Sequence, residues 1–325
     1  MLTDYVTNGI KNHELINDST LHVVAVVSNP ARYHSRYRLF REFANAMATT
    51  PNTMLHVVEL AFGDRHHEVT GKDCPTPSQL QLRSDRELWH KENMINLGVR
   101  HLLPTNWRYM AWIDADVHFQ NKNWALETIH QLQHYPVVQP WSECVDMGPH
   151  GNGMQMFRSF CSFVQRGKQI QSHPGEYYEY AHSGFAWACT RRFWENVGGL
   201  IDWAVLGSGD HHMAWGLINQ IHKSVHQSMS GAFKRRANEW QANAYRETNG
   251  HVACVPGLLH HQWHGKKAAR KYRERWQILI DNKFDPDTDL RRDAQGLLYI
   301  AGKPHLENDI REYMRGRNED GIDED

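Results

Sequence analysis

Two aspartates, Asp114 and Asp116, directly follow the apolar run Tyr109–Ile113, and their type and spacing suit metal chemistry. Such a run predicts a buried strand, and open α/β sheets present their ligands at the carboxyl ends of strands. Carboxylate oxygens are the hard ligands that Mg²⁺ and Mn²⁺ prefer, and these ions are commonly shared with substrate phosphates. The pair therefore predicts a divalent metal site, with a simple polar turn as the alternative.

Two further segments fit a metal-dependent reaction. Asp210 follows Gly209 at the predicted start of a helix, where glycine lets a ligand approach and a carboxylate could accept a proton from an attacking hydroxyl. His264 lies beside Gly265 in a His-rich segment that could supply another metal ligand. The ordinary alternatives are a helix N-cap for Asp210 and surface histidines at 260–264.

A basic segment follows these histidines, and a single acid interrupts it at Glu274. Its cations could stabilise a bound diphosphate, or they could form a solvated face. They are Lys266, Lys267, Arg270, Lys271, Arg273 and Arg275.

The elements that must position these residues alternate between strands and helices, which is typical of a parallel sheet. The predicted strands are 21–27, 54–60, 109–113, 136–139, 185–189 and 252–256. The predicted helices are 35–48, 84–103 with a capping box at its start, one that Asn123 begins, 190–197, 210–218, 230–246 and 265–282. Residues 63–81 and 142–180 are predicted to be loops.

Composition narrows the class of protein. The chain has 325 residues and a net charge of −1, so no overall field indicates a nucleic-acid or membrane partner. Its five cysteines are scattered, which argues against a disulfide framework or a zinc site. No apolar run is long enough to cross a membrane, and the N-terminus does not resemble a signal peptide. We therefore expect a cytoplasmic protein, in a bacterium or in a phage-infected host.

In their order along the chain, the first strand, Asp114-x-Asp116, the Gly-Asp210-His segment and His264-Gly265 resemble a nucleotide-sugar glycosyltransferase of the GT-A type. The family-2-like and galactosyltransferase-C-terminal-like enzymes of bacteria and phages are the most similar kinds. The resemblance covers residues 21–300. It departs at the segment that carries the catalytic base, where such families often have Glu-Asp and this chain has Gly209-Asp210-His211.

The resemblance implies a GT-A, Rossmann-like fold with a mixed, mostly parallel sheet between helices. Residues 1–20 would be peripheral and 21–265 would form the glycosyltransferase domain. A basic helical extension would occupy 266–316, and 317–325 would be an acidic, disordered tail.

It also implies roles for individual residues. Asp116, Asp114 and His264 would hold Mn²⁺ or Mg²⁺, with His261 as the second choice to His264, and Asp210 would be the base of an inverting transfer. The donor would be a nucleotide-diphosphate sugar, with a UDP-sugar as first choice. The residues implied to contact this donor are Ser28, Asn29, Arg32, Tyr33, Lys91, Asn93, Asp114, Gly184, Trp187, Lys266 and Arg270. Core packing is the alternative for Trp187.

The sequence is compatible with more than one acceptor and more than one class of reaction. The acceptor could be a glycan, a protein or a hydroxymethylated base in phage DNA, the last suggested by the basic segments 234–236 and 266–275. A nucleotidyltransferase would use the same sheet and metal, but its glycine-rich loop is absent after the first strand. A phosphohydrolase with Asp114 as nucleophile and a non-catalytic binding protein are further alternatives. The sequence does not indicate an oligomeric state.

Overall fold

The computed structural model describes residues 19–168, 170, 181–272 and 274–322. Within these residues the strands are β1 (Leu21–Ser28), β2 (Thr53–Phe62), β3 (Gln79–Ser84), β4 (Tyr109–Ile113), β5 (Val117–Phe119), β6 (Val137–Gln139), β7 (Glu143–Met147), β8 (Gly153–Ser159), β9 (Ala181–His182), β10 (Ala186–Thr190), β11 (Ala253–Cys254), β12 (Leu258–His261), β13 (Leu290–Arg292) and β14 (Leu298–Ile300).

The helices are α1 (His34–Thr49), α2 (Lys91–Leu102), α3 (Trp124–Leu132), α4 (Phe160–Gln165), α5 (Arg191–Val197), α6 (Gly209–Leu217), α7 (Gly231–Thr248), α8 (Arg275–Asp281) and α9 (Pro304–Arg315), with short 3₁₀ turns at Ile221–Lys223 and Ala268–Arg270. In the part of the chain described, no helix is both long and apolar enough to span a membrane.

The main sheet has seven strands in the order β11-β6-β10-β4-β1-β2-β3. All of its pairings are parallel except those of β10, which runs antiparallel to β4 and β6. The central strand β1 is buried from Leu21 to Ala25, because a strand covered on both faces needs a continuous apolar run. The predicted mixed, mostly parallel sheet between helices is confirmed.

Helices cover both faces of this sheet. One apolar cluster includes Phe40 and Phe43 of α1 and Ile129 of α3. The apolar cluster on the opposite face contains Ile95 of α2 and residues of α5, α6 and α7. Both faces of the main sheet are thus removed from water, and its carboxyl edge is where ligands can be presented.

A second sheet was not predicted. It has five strands in the order β5-β12-β7-β8-β9. Residues 142–180 were expected to be a loop, yet they contain β7, β8 and α4, and the His-rich segment begins with β12. The strands are short and rich in polar residues, so their apolar pattern is too weak to predict a strand. Residues 171–180 lie outside the described residues.

Two predicted helix starts are wrong. Ser84, the first residue of the predicted capping box, ends strand β3, and helix α2 begins at Lys91. The basic helix 265–282 is a turn and a 3₁₀ segment followed by α8. Positive φ angles of 83° at Gly265 and 44° at Lys271 explain the second error, since neither residue has a right-handed helical conformation.

The predicted extension 266–316 is only partly helical, because the hairpin of β13 and β14 lies between α8 and α9. The prediction of a disordered tail is wrong for residues 317–322. There Arg317 and Glu319 are buried, and Asp320 accepts hydrogen bonds from the backbone N–H groups of His34 and Ser35 at 2.8 Å each. Residues 323–325 lie outside the described residues.

Buried histidines predict that this fold is sensitive to acid. His56 is fully buried in β2 beside His22, and burial followed by the charge of His22 lowers its pKa to about 4. The unfolded chain takes up a proton near pH 6.5 while folded His56 does not, so stability is present above pH 6.5 and is lost as pH falls towards 4. Protonation of this one group should lower the free energy of unfolding by about 2 kcal/mol between pH 7 and pH 5.

We expect the melting temperature to fall over this pH range and to fall less in His56→Gln, which keeps polar atoms but cannot titrate. The matched control is His101→Gln at an exposed position. An identical pH dependence in His56→Gln and the wild type would contradict the assignment.

Candidate metal centre

Asp116, His261 and His264 form a compact group whose ligand atoms all lie within 4.8 Å of one another. The Oδ2 atom of Asp116 lies 3.0 Å from Nε2 of His264 and 3.8 Å from Nε2 of His261. The two Nε2 atoms are 3.1 Å apart. One carboxylate and two imidazoles thus converge on a single point, which is a donor set suited to a divalent cation.

The second sheet brings these residues together. Strand β4 delivers Asp114 and Asp116 to the carboxyl edge of the main sheet, and β5 then enters the second sheet. There β12 pairs with β5, with His261 opposite Val117, and the N–H of Gln262 donates to the carbonyl of Asp116 at 2.8 Å. A backbone ladder therefore fixes the distance between residues that are more than a hundred positions apart.

The residues of this group fit a cation. Burial opposes the charge on Asp116, but His261 and His264 outweigh it and hold the pKa of this carboxyl well below its usual range. Its Oδ1 atom is buried and has no hydrogen-bond partner among the residues that the structure describes. Buried polar atoms are normally satisfied, so an orphaned carboxylate oxygen beside two imidazoles indicates a missing positive partner.

Asp146 is a site residue that the sequence analysis missed. It lies opposite His261 in the parallel pairing of β12 with β7, and it accepts a hydrogen bond from Nδ1 of His261. Lys267 forms an ion pair with the other oxygen of Asp146. Hydrogen bonding of Nδ1 to a carboxylate leaves Nε2 directed at the metal position, which is how metal-ligating histidines are usually held.

Asp114 lies next to this group but takes a different partner. Its Oδ1 forms an ion pair with Lys91 at the first position of α2, and its ligand atoms are not among the three that converge. Asp114, Asp210 and Glu92 act on Lys91 together and raise the pKa of its ammonium group against the effect of burial. Lys91 is therefore a fixed positive charge between Asp114 and the start of α6.

Asp210 and Glu92 are two carboxyl groups near Lys91. Asp210 is partly buried in the first turn of α6. Glu92 is 3% exposed, and burial, with a further contribution from Asp210, raises its pKa to about 7 even though Lys91 opposes the shift. Glu92 was not among the site residues predicted from the sequence. The signal available was its position next to Lys91, at a helix start directed towards the sheet edge.

Two glycines allow close packing around these carboxyl groups. A Cβ atom at Gly209 would lie 2.7 Å from Oε1 of Glu92. A Cβ atom at Gly184 would lie 3.0 Å from Oδ2 of Asp210 and 2.9 Å from the ring of His182. Any larger residue at Gly184 would clash with Asp210 and His182, so glycine at this position lets both side chains pack against the backbone.

The predicted nucleoside turn lies after β1, at the same edge of the sheet. Arg32 is exposed, and within the described ranges the Oγ atom of Ser28 has no hydrogen-bond partner. Asn29 is buried, and its side chain bonds the backbone of Tyr33 in both directions, at 2.8 and 2.9 Å. The hydroxyl of Tyr33 donates to the carbonyl of Arg315 at 2.7 Å. Asn29 and Tyr33 therefore shape the turn through internal bonds.

Two residues that the resemblance assigned to the donor have structural roles instead. The side chain of Asn93 is 1% exposed and bonds the backbone of Gly296 and Leu298, so it holds the C-terminal hairpin. Trp187 is 2% exposed, stacks on Trp112 and donates to the carbonyl of Ser183 at 2.7 Å. For Trp187 the alternative of core packing is correct.

The basic residues are largely engaged in internal contacts. Arg270 is buried, with Nη2 at 3.1 Å from Nε2 of His264, while Lys266 is partly buried. Arg235 and Arg236 both bond Asp287. Asp287 of the same chain thus partly neutralises the basic segment 234–236. Less positive charge is left there to bind DNA phosphates. The five cysteines are free thiols, as expected.

No protein-family model and no curated protein matches this sequence. Solved structures that match include the catalytic domain of Drosophila β1,4-galactosyltransferase 7 with xylobiose, at 12% identity over 90% of this chain and 98% of that one, with a TM-score of 0.38. A mutant of the same enzyme with manganese, UDP-Gal and xylobiose gives the same identity and coverage and a TM-score of 0.40. A mutant of LgtC matches at 12% identity over 78% and 77% of the two chains, with a TM-score of 0.34. TM-scores this low assign no function to this chain. A functional proposal therefore has to rest on the geometry of the site.

Proposed function

We propose that this protein is a metal-dependent glycosyltransferase that moves a sugar from a nucleotide-diphosphate sugar, a UDP-sugar in the first instance, to an acceptor hydroxyl. One observation carries the proposal: Asp116, His261 and His264 converge at the carboxyl edge of the sheet, and Oδ1 of Asp116 is buried without a partner in the described part of the chain. The Lys91–Asp114 ion pair and Asp210 lie beside this point.

Asp116, His261 and His264 would hold Mn²⁺ or Mg²⁺, with Asp146 orienting His261. When bound, such an ion offsets the negative charge that develops on a diphosphate leaving group. Asp114 would contact the ribose or a metal-bound water, and the turn at Ser28 and Arg32 would border the nucleoside. Lys91 and Arg270 would add fixed positive charge near the leaving group, which stabilises the negative charge that develops there.

Asp210 would act as the base and take the proton from the acceptor hydroxyl as its oxygen attacks the anomeric carbon. In-line attack with a base on the acceptor side gives inverted configuration. The partly exposed position of Asp210 near Lys91 supports this placement, because the acceptor oxygen must come within hydrogen-bond reach of the base beside the donor. The proposed acceptor is a glycan, since the basic segment 234–236 is engaged by Asp287.

The test is a thermal-shift screen of UDP-, GDP-, dTDP- and CMP-linked sugars, each with and without Mn²⁺. Binding to the native state raises the melting temperature by mass action, so the true donor should give a shift that requires the metal. We expect this shift with a UDP-sugar and its loss in Asp116→Ala. Shifts with free nucleoside triphosphates and release of pyrophosphate would instead indicate a nucleotidyltransferase. No metal-dependent shift with any donor would refute the proposal.

A further inference from the structure

Glu319, in the segment that the sequence predicted to be a solvated tail, is 1% exposed. Its Oε2 lies 2.5 Å from Nε of Arg36, and its Oε1 lies 2.6 Å from both Nη2 of Arg36 and Nε of Arg317. Two guanidinium groups on one carboxylate compensate its charge and fix its orientation, which an isolated buried carboxylate could not achieve.

The same carboxylate faces the metal centre. Its Oε2 lies 3.7 Å from Nδ1 of His264, the ring atom opposite the Nε2 that approaches Asp116. His261 has a carboxylate on the same ring atom in closer contact, since Asp146 is hydrogen-bonded to its Nδ1. Each of the two histidines therefore has a buried carboxylate behind it, one from the second sheet and one from the C-terminal segment.

Segment 317–321 is bound tightly enough to hold this position. Trp263, the residue before His264, donates its indole N–H to the carbonyl of Gly321 at 2.7 Å. A Cβ atom at Gly265 would lie only 2.4 Å from the carbonyl oxygen of Asn318. Asp320 accepts from two backbone N–H groups at the start of α1. The segment thus contacts the chain on both sides of His264.

We propose that Glu319 is a positioning residue for the metal centre: it orients His264 from behind, so that Nε2 is directed at the cation. This inference rests on the metal site of the proposed function. Through Arg36, whose Nη1 donates to the carbonyl of Ser28 at 2.5 Å, the same carboxylate also ties His264 to the turn proposed to border the nucleoside. The C-terminal segment is therefore part of the metal centre, and removing it should weaken metal binding.

The test measures the dissociation constant for Mn²⁺ alone, from the electron paramagnetic resonance signal of the free ion, in the full chain without nucleotide. We expect Glu319→Gln to raise this constant by about 10- to 100-fold, which is the usual effect of losing a residue that orients a metal-binding histidine. Asp146→Asn should act in the same direction through His261. Asp320→Asn is the matched control, because Asp320 anchors the same segment but bonds only α1, and its Mn²⁺ affinity should be nearly that of the wild type.

Removing one charge from the Arg36–Glu319–Arg317 group could unfold the segment, so melting temperatures are measured without metal. Glu319→Asp keeps the charge for the two arginines and withdraws it from His264, and it should weaken Mn²⁺ binding even if Glu319→Gln fails to fold. Unchanged Mn²⁺ affinity in a folded Glu319 variant would overturn the inference, as would an equal loss in Asp320→Asn. A wild type that binds Mn²⁺ through His264 but transfers no sugar would refute the proposed function alone.

Discussion

Asp116→Ala is expected to abolish Mn²⁺-dependent donor binding and to lower sugar transfer by about a thousandfold or more. Asp116 is the carboxylate that both histidines approach, and its orphaned Oδ1 is available to a cation. Metal stabilisation of a leaving group contributes several kcal/mol, and about 1.4 kcal/mol corresponds to a factor of ten in rate. The measurements are Mn²⁺ affinity by calorimetry and initial rates with the donor that the thermal-shift screen identifies.

The matched control is Asp64→Ala, which removes an exposed carboxylate and should leave both quantities unchanged. His261→Gln and His264→Gln should each weaken Mn²⁺ binding, because the geometry assigns both rings to the cation. If Asp116→Ala transferred sugar at the wild-type rate in the presence of a chelator, this result would contradict the metal centre as described.

Asp210→Asn is expected to lower the transfer rate by about 10²- to 10⁴-fold while Mn²⁺ and donor binding stay close to wild type. This is the range that a positioned general base contributes, and asparagine keeps the shape of the side chain but cannot accept the proton. Calorimetry of donor binding and the turnover rate at saturating donor separate the two effects, and the anomeric configuration of the product tests the inverting mechanism.

Glu92→Gln is the informative comparison, because Glu92 is the other carboxyl group near Lys91 and burial raises its pKa to about 7. If Asp210 is the base, Glu92→Gln should reduce turnover much less than Asp210→Asn. The opposite order would assign the base to Glu92. Equal loss of donor binding in both variants would mean that the two carboxyl groups maintain the structure around Lys91 and take no proton.

The sequence by itself determined the main sheet except for its edge strand β3, whose first residues fall in the predicted loop 63–81, and it determined the position of the first carboxylates. Apolar runs such as Leu21–Ser28 and Tyr109–Ile113 carry a strong local signal, because strands buried on both faces must be continuously apolar. The rule that ligands gather at the carboxyl ends of strands then placed Asp114 and Asp116 at the site. The helices predicted to begin at Thr190 and Ser230 do begin there. Each of these side chains accepts a hydrogen bond from a backbone N–H in the first turn of the helix that it caps.

Only the tertiary structure decided the rest of the site. Asp146 and Glu319 have no local pattern that marks them, because each acts through a histidine far away in the sequence. Strand β12 is too short to predict, yet its pairing with β5 and β7 sets His261 between Asp116 and Asp146. Asn93, Trp187 and the acidic tail were misassigned for the same reason: whether a polar or aromatic side chain faces ligand, core or solvent depends on what packs against it, and those partners come from distant parts of the chain.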